Sequence, residues 1–230
     1  MRTLILLIFL SLSFFAFAQD VEKDYDAIDS LYREDQFYFS ISYNSLIKPP
    51  EGLSQRKFSP GISLGFLRDM PVNKNRTISI AAGVGYMMSV FNHNITITEN
   101  GNNNVYDFIN TNVAYKINRH TLHHLDIPIE FRWRNSTFES HKFWRIYAGF
   151  KASYLFYDQY KLVSDAGTVK QTNNKDFNQF TYGTYLSFGY NSVNFYIYYG
   201  LNPIFNNNVA LQNEGLDVSA VKFGLMFYVL

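Results

Sequence analysis

The sequence predicts an all-β chain folded as an eight-stranded antiparallel up-and-down β-barrel that crosses a membrane. Three observations carry this expectation. Eight separate stretches alternate apolar and small or polar residues with period two, the repeat of a strand with two different faces. The chain holds 22 Phe and 18 Tyr, yet its mean hydropathy is −0.15. Beyond the N-terminus no run approaches the roughly 18 apolar residues of a membrane helix. Aromatic-rich and still mildly polar is what results when every strand shows one face to lipid and the other to a polar interior.

Arg2, the apolar run Leu4 to Phe17 and the small-residue site Ala16-Phe17-Ala18 have the order of a secretory signal peptide over residues 1–18, with cleavage before Gln19. The apolar run is short for a helical span and no stop-transfer pattern follows it. The absence of cysteine excludes a lipoprotein anchor and a disulfide framework. Residues 19–36 are acid-rich, with Asp20, Glu22, Asp24, Asp26, Asp29, Glu34 and Asp35, and are expected to form a solvated periplasmic tail. Removing Arg2 with the leader brings the formal charge from +1 to zero, so no basic surface is available for nucleic acid.

Residues 37–230 are expected to be the barrel. Phe37 to Ile47 opens the alternation, with Phe37, Phe39, Ile41 and Tyr43 on one face and Tyr38, Ser40, Ser42 and Asn44 on the other. After a Pro49-Pro50 and Gly52 loop, Phe58 to Arg68 places Ile62, Leu64 and Phe66 outward; Asp69 to Arg76 is expected to turn. Thr77 to Asn92 carries Ile78, Ile80, Ala82 and Val84 outward against Ser79, Ala81, Gly83 and Gly85. His93 to His120 is a long polar connection, although Ile95 and Ile97 suggest strands running past the membrane. Thr121 to Arg134 turns Leu125, Ile127, Ile129, Phe131 and Trp133 outward, and Phe143 to Tyr157 does the same with Trp144, Ile146, Phe150 and Tyr154. Asp158 to Phe177 is expected to loop. Phe180 to Tyr190 and Val193 to Leu201 form a hairpin about Asn191-Ser192, and Val218 to Leu230 closes the barrel. That last strand has an open edge, which in hydrocarbon must find the first strand.

The connections alternate long and short. Outer-membrane barrels keep both termini and the short turns in the periplasm and the long loops outside, and this order fits. A soluble barrel of the same size would put its greasy side chains inside, whereas here the inward face carries glycines and charges.

An eight-stranded interior is just wide enough for its own side chains. Asp126, Glu130, Arg132 and Arg134 should therefore meet Arg145 and Lys151 there, with Lys222 at the same inward parity, as a structural charge network. Folding the hairpin symmetrically about Asn135 to Lys142 sets Asp126 opposite Lys151 and Arg132 opposite Arg145. Pro128 removes a ladder donor and argues for a bulge or a local break. His120 and His124 share a face while His123 takes the other, a poor arrangement for one metal. His124 with Asp126 could be a base and its orienter, but no nucleophile motif accompanies them. No catalytic, metal or cofactor site is expected.

Two resemblances extend this reading. Lys222, Gly224, Phe227 and Val229, spaced polar-x-Gly-x-x-hydrophobic-x-hydrophobic, resemble the C-terminal assembly signal read by the machinery that inserts bacterial outer-membrane barrels. Leu125 to Arg132, followed by Trp144 to Ala152 with its Tyr147-Ala148-Gly149-Phe150-Lys151-Ala152, resembles the small outer-membrane barrels of Bacteroidota described as porin-like or PorT-type. That resemblance implies a non-enzymatic barrel in the outer membrane, contacting its lipid, the insertion machinery and other envelope proteins. The PorT protein is implicated in type IX secretion, so an accessory part in a secretion apparatus is the implied role. A narrow channel for small solutes or ions, and a lipid-modifying enzyme, are the alternatives.

Overall fold

The computed structural model describes residues 35–101, 103–110, 112–135, 143–212 and 214–229. The expected signal peptide over 1–18 and nearly all of the expected acidic tail over 19–36 lie outside the described residues, as do positions 136–142 and Leu230. Eight antiparallel strands close on themselves: β1 (Gln36–Ile47), β2 (Pro60–Pro71), β3 (Ile78–Asn92), β6 (Tyr115–Arg134), β7 (Trp144–Ser164), β9 (Phe180–Tyr190), β10 (Val193–Gly200) and β13 (Ser219–Val229). Closure is made by β1 on β13, in register from Phe37 opposite Val229 to Ile47 opposite Ser219. Every barrel strand thus has a neighbour on both sides, which satisfies the edge of the last strand as expected.

Alternation is clean along the walls. In β1, Phe37, Phe39 and Ile41 are exposed while Tyr38, Ser40 and Ser42 are buried. Ile127, Ile129, Phe131, Trp144, Ile146, Phe195 and Ile197 extend the exposed apolar belt. At the end where β1 begins and β13 stops, the described connections are short; Asn191 takes a left-handed backbone (φ 56°) in the two-residue turn between β9 and β10.

The other end carries a folded cap. Much of the long polar connection expected after Asn92 is a hairpin, β4 (Ile95–Asn100) with β5 (Asn103–Phe108), extended by β11 (Ala210–Leu211) and β12 (Glu214–Gly215) into a second sheet. Ile95 and Ile97 do not run on as barrel wall. They are buried with Phe91, Tyr106, Leu122, Phe177, Phe205 and Leu211 in an apolar core over the barrel mouth. Likewise, Asp158 to Phe177 is not all loop, because β7 continues to Ser164 and pairs with β8 (Gly167–Thr172).

Three details refine the sequence reading. The β6–β7 register sets Arg132 opposite Tyr147, Arg134 opposite Arg145 and Asp126 opposite Ser153, two residues away from the symmetric fold of the hairpin. Pro128 makes the local break, one of its two expected outcomes: the β3–β6 ladder is interrupted between Ile129 and Asp126 with the same register on either side, and no bulge forms there. The bulge lies higher, where His123 pairs with Tyr157 and His124 with Leu155, so that Phe156 is the extra residue. One extra residue exchanges the two faces of a strand. Below it Lys151, Ser153 and Leu155 are buried; above it Asp158 and Tyr160 are.

Inside the barrel, tyrosine rings lie over glycines of neighbouring strands. A Cβ on Gly149 would come within 2.3 Å of the Tyr185 ring. Gly149→Val is therefore expected to displace Tyr185 and cost about 1–3 kcal/mol, the range for overpacking a filled core. Urea unfolding in detergent, followed by loss of the fast-migrating unheated band on a gel, measures this.

Candidate functional site

The described residues concentrate their chemistry in the barrel interior, in two layers. Nearer the termini, Asp69 accepts from Arg134 through both carboxylate oxygens (3.0 and 2.8 Å), from Arg132 Nη1 at 3.1 Å and from Ser79 Oγ at 2.6 Å. Glu130 accepts from Arg132 Nε at 2.7 Å and from the hydroxyls of Tyr185 (2.7 Å) and Tyr228 (3.0 Å). The Arg132 guanidinium also lies 4.7 Å from the centre of the Tyr147 ring. Arg145, opposite Arg134, packs 4.5 Å over Phe143 and finds no carboxylate among the described residues.

The second layer is closer to the cap. Asp126 accepts from Ser153 Oγ at 2.7 Å and pairs with Lys151 Nζ at 3.1 Å, a diagonal contact made despite the two-residue difference in register. Lys222 donates to Ser89 Oγ at 2.7 Å and to Met87 Sδ at 2.9 Å, under the ring of Tyr198.

Asp126, Glu130, Arg132, Arg134, Arg145, Lys151 and Lys222 thus all lie inside, all buried. The pairing of Arg145 with Arg132 does not occur. The missing member of the network was Asp69, since the structure carries β2 through to Pro71 where a turn from residue 69 was expected. Period-two counting from Gly61, Ser63 and Gly65 would have placed it inward. Parity places Tyr38 inward, as found; the partnership of Tyr185 and Tyr228 with Glu130 depends on strands that meet only in the closed barrel. Of the C-terminal signal residues, Lys222 points inward and Gly224 packs against the β1 backbone at Ile41, while Phe227 and Val229 pair with Phe39 and Phe37.

The histidines separate. His123 is partly exposed and its Nδ1 lies 2.6 Å from the Tyr86 hydroxyl, whereas His124 is buried. His120 meets a residue the sequence reading left in a loop: His93 Nε2 lies 2.6 Å from His120 Nδ1, with the rings 4.7 Å apart in the cap core. His93 Nδ1 accepts from the Ile95 backbone, so His93 Nε2 carries the proton donated to His120. Burial pulls His93 down to about 4 and His120 well below the ordinary histidine value, the latter helped by its neighbour. Close by, burial pushes Asp158 up to about 6 against the opposing backbone N–H groups of Asn173 and Asn174.

Residues 17–206 match the family described as outer membrane protein beta-barrel domain. Two solved structures of Ail, the attachment invasion locus protein of Yersinia pestis, are similar. One, in complex with the heparin analogue sucrose octasulfate, shares 12% identity over 85% of this chain and 97% of that one, with a TM-score of 0.40. The other shares 11% over 84% and 96%, with a TM-score of 0.38. The comparison with curated proteins gave no match.

Two outcomes are expected of these charges. Asp69→Ala leaves Arg132 and Arg134 short of their shared carboxylate and should cost about 3–5 kcal/mol in urea unfolding, the scale for breaking a buried pair. Acid should loosen the cap. An imidazole near pKa 4 when folded and near 6.5 when unfolded favours the unfolded form progressively as pH falls from about 6.5 to about 4. Asp158 acts in the opposite sense below about 6, but it is one group against two. Amide exchange at Ile95, Ile97 and Leu122, corrected for intrinsic rates, should report a loss of roughly 1–2 kcal/mol between pH 7.5 and 5. A His93→Leu, His120→Phe double variant should not show it.

Proposed function

The chain belongs to the outer membrane protein beta-barrel domain family, and from that premise we propose that it is a non-enzymatic, non-conducting barrel serving as a structural or accessory component of an envelope assembly, such as a protein secretion apparatus. The observation that supports this most is the twofold filling of the bore. Charged and tyrosine side chains occupy it from the terminal end up to Lys222, and the apolar core of the cap covers what remains. A conduction path needs a continuous column of water, and a lipid-modifying enzyme needs an accessible nucleophile and base. His124 is buried inside the bore with Lys222, away from the lipid-facing surface.

In this reading the termini and short turns face the periplasm and the cap faces outward. Lys222, Gly224, Phe227 and Val229 are read by the insertion machinery before β13 pairs with β1. Partners are met through the cap, whose exposed face includes Val105, Val113 and Val169 among Asn, Thr and Lys residues, or through the acidic N-terminal tail. Lipid is contacted by the apolar belt.

Purified full-length protein in planar bilayers should give no steady conductance. Cross-linking in intact cells from cysteines placed at Val105 or Val169 should capture specific envelope proteins. Steady single-channel currents would instead favour the channel reading, and cross-links confined to lipid would remove the accessory role.

A further inference from the structure

The charges of the upper interior layer do not balance among the described residues. Among the described residues, the buried cations inside the barrel are Arg132, Arg134, Arg145, Lys151 and Lys222, and the buried carboxylates below the cap are Asp69, Asp126 and Glu130. The terminal layer holds Asp69 and Glu130 against three arginines, and the upper layer holds Asp126 against two lysines. Asp126 is committed to Lys151. Lys222 is 4% exposed and its two hydrogen-bond acceptors, Ser89 and Met87, are both neutral. An ammonium has three donors, so one remains.

Lys222 lines a cavity of about 20 Å³ between the polar bore and the cap, closed on the cap side by Leu122 and Ile204. That volume is above the roughly 10–15 Å³ needed for a single water-sized occupant. His124 also lines it, is 4% exposed, and has a buried Nδ1 with no hydrogen-bond partner. Ser89 and Tyr198 add hydroxyls at the same wall; Ser89 already accepts from Lys222, which leaves its proton to donate. No carboxylate lines the cavity among the described residues. A small site lined by an ammonium with one donor left, a buried imidazole, hydroxyls and apolar side chains, and by no carboxylate, suits one spherical anion better than a cation or an organic ligand.

From this geometry we propose that the cavity binds a single monovalent halide-sized anion, chloride under ordinary conditions, as the counter-ion of Lys222. The anion completes the charge pairing of the upper layer. It is enclosed when the cap seats on the barrel mouth, so it acts as a structural ion.

The test uses full-length protein extracted and purified in detergent with bromide as the halide, compared at equal ionic strength with gluconate, which is too large for the cavity. Crystals grown in bromide should show an anomalous peak within about 3.5 Å of Lys222 Nζ, the distance of a charge-assisted contact to a large anion. The thermal unfolding midpoint should rise by on the order of 3 °C or more from gluconate to bromide. Lys222→Met should abolish both the peak and the halide dependence. Should that variant not fold, His124→Leu, which removes a donor and leaves the ammonium, should weaken the halide dependence. A wild-type cavity that holds only water, or a halide dependence that persists unchanged in Lys222→Met, would overturn the proposal.

Discussion

The constraint on which this structure depends is that backbone donors and acceptors facing hydrocarbon must find partners within the protein. Closure of β1 on β13 meets it along eleven paired positions, from Phe37 with Val229 to Ile47 with Ser219. Everything else in the barrel is subordinate to that seam. With eight strands the diameter is fixed, and with it the volume that side chains must fill. The sequence answers with tyrosines that lie over glycines and with ion pairs that satisfy one another. An apolar filling would serve packing equally well, but it would erase the difference between the two faces of each strand, and that difference sets the register.

The price of a polar interior is desolvation, and the two layers meet it differently. In the terminal layer two carboxylates hold two arginines through four short contacts and accept three more from tyrosine and serine, while Arg145 rests on aromatic faces. Bidentate geometry suits arginine, whose planar fork matches a carboxylate. Nearer the cap the cations are lysines, with one carboxylate between them. Lysine is a compact point charge with rotatable donors, and it is the residue here that borders a cavity.

Much of the wall was legible in the sequence because a strand's period is short and local. Phe37 to Tyr43 or Ile78 to Gly85 carry their own evidence, and each inward charge on the fourth strand could be placed by parity alone. Register was not local. A symmetric fold of the β6–β7 hairpin misplaces every rung below the bulge by two. The bulge at Phe156 was invisible for a related reason: Leu155, Phe156 and Tyr157 are all apolar or aromatic, so an exchange of faces leaves no mark in the pattern. Asp69 was lost to a boundary, since a charged residue beside Met70 and Pro71 reads as a turn until its partners on β6 are known.

The cap was the least legible part, and its composition explains why. Asn, Asp, Gly and Thr dominate residues 93–120 and 158–179, as they would in unstructured loops, and the apolar residues that order them are few and widely separated. Ile95, Ile97, Tyr106, Phe177, Phe205 and Leu211 come from three different connections. Only Ile95 and Ile97 carry a short alternation of their own, and the set becomes a core only when the barrel mouth brings the connections together. A cap held by non-local contacts over a rigid rim can change its outer residues without disturbing the wall, because its inner residues answer to Phe91 and Leu122 at the ends of β3 and β6. The barrel then supplies a fixed platform and the cap a variable surface, the division of labour expected when loops carry function on a scaffold. The buried His93 and His120 pair sits at that junction, where it and the Asn118 side chain, which donates to the Ile95 carbonyl, tie the first turn of the cap to β6 within an apolar core.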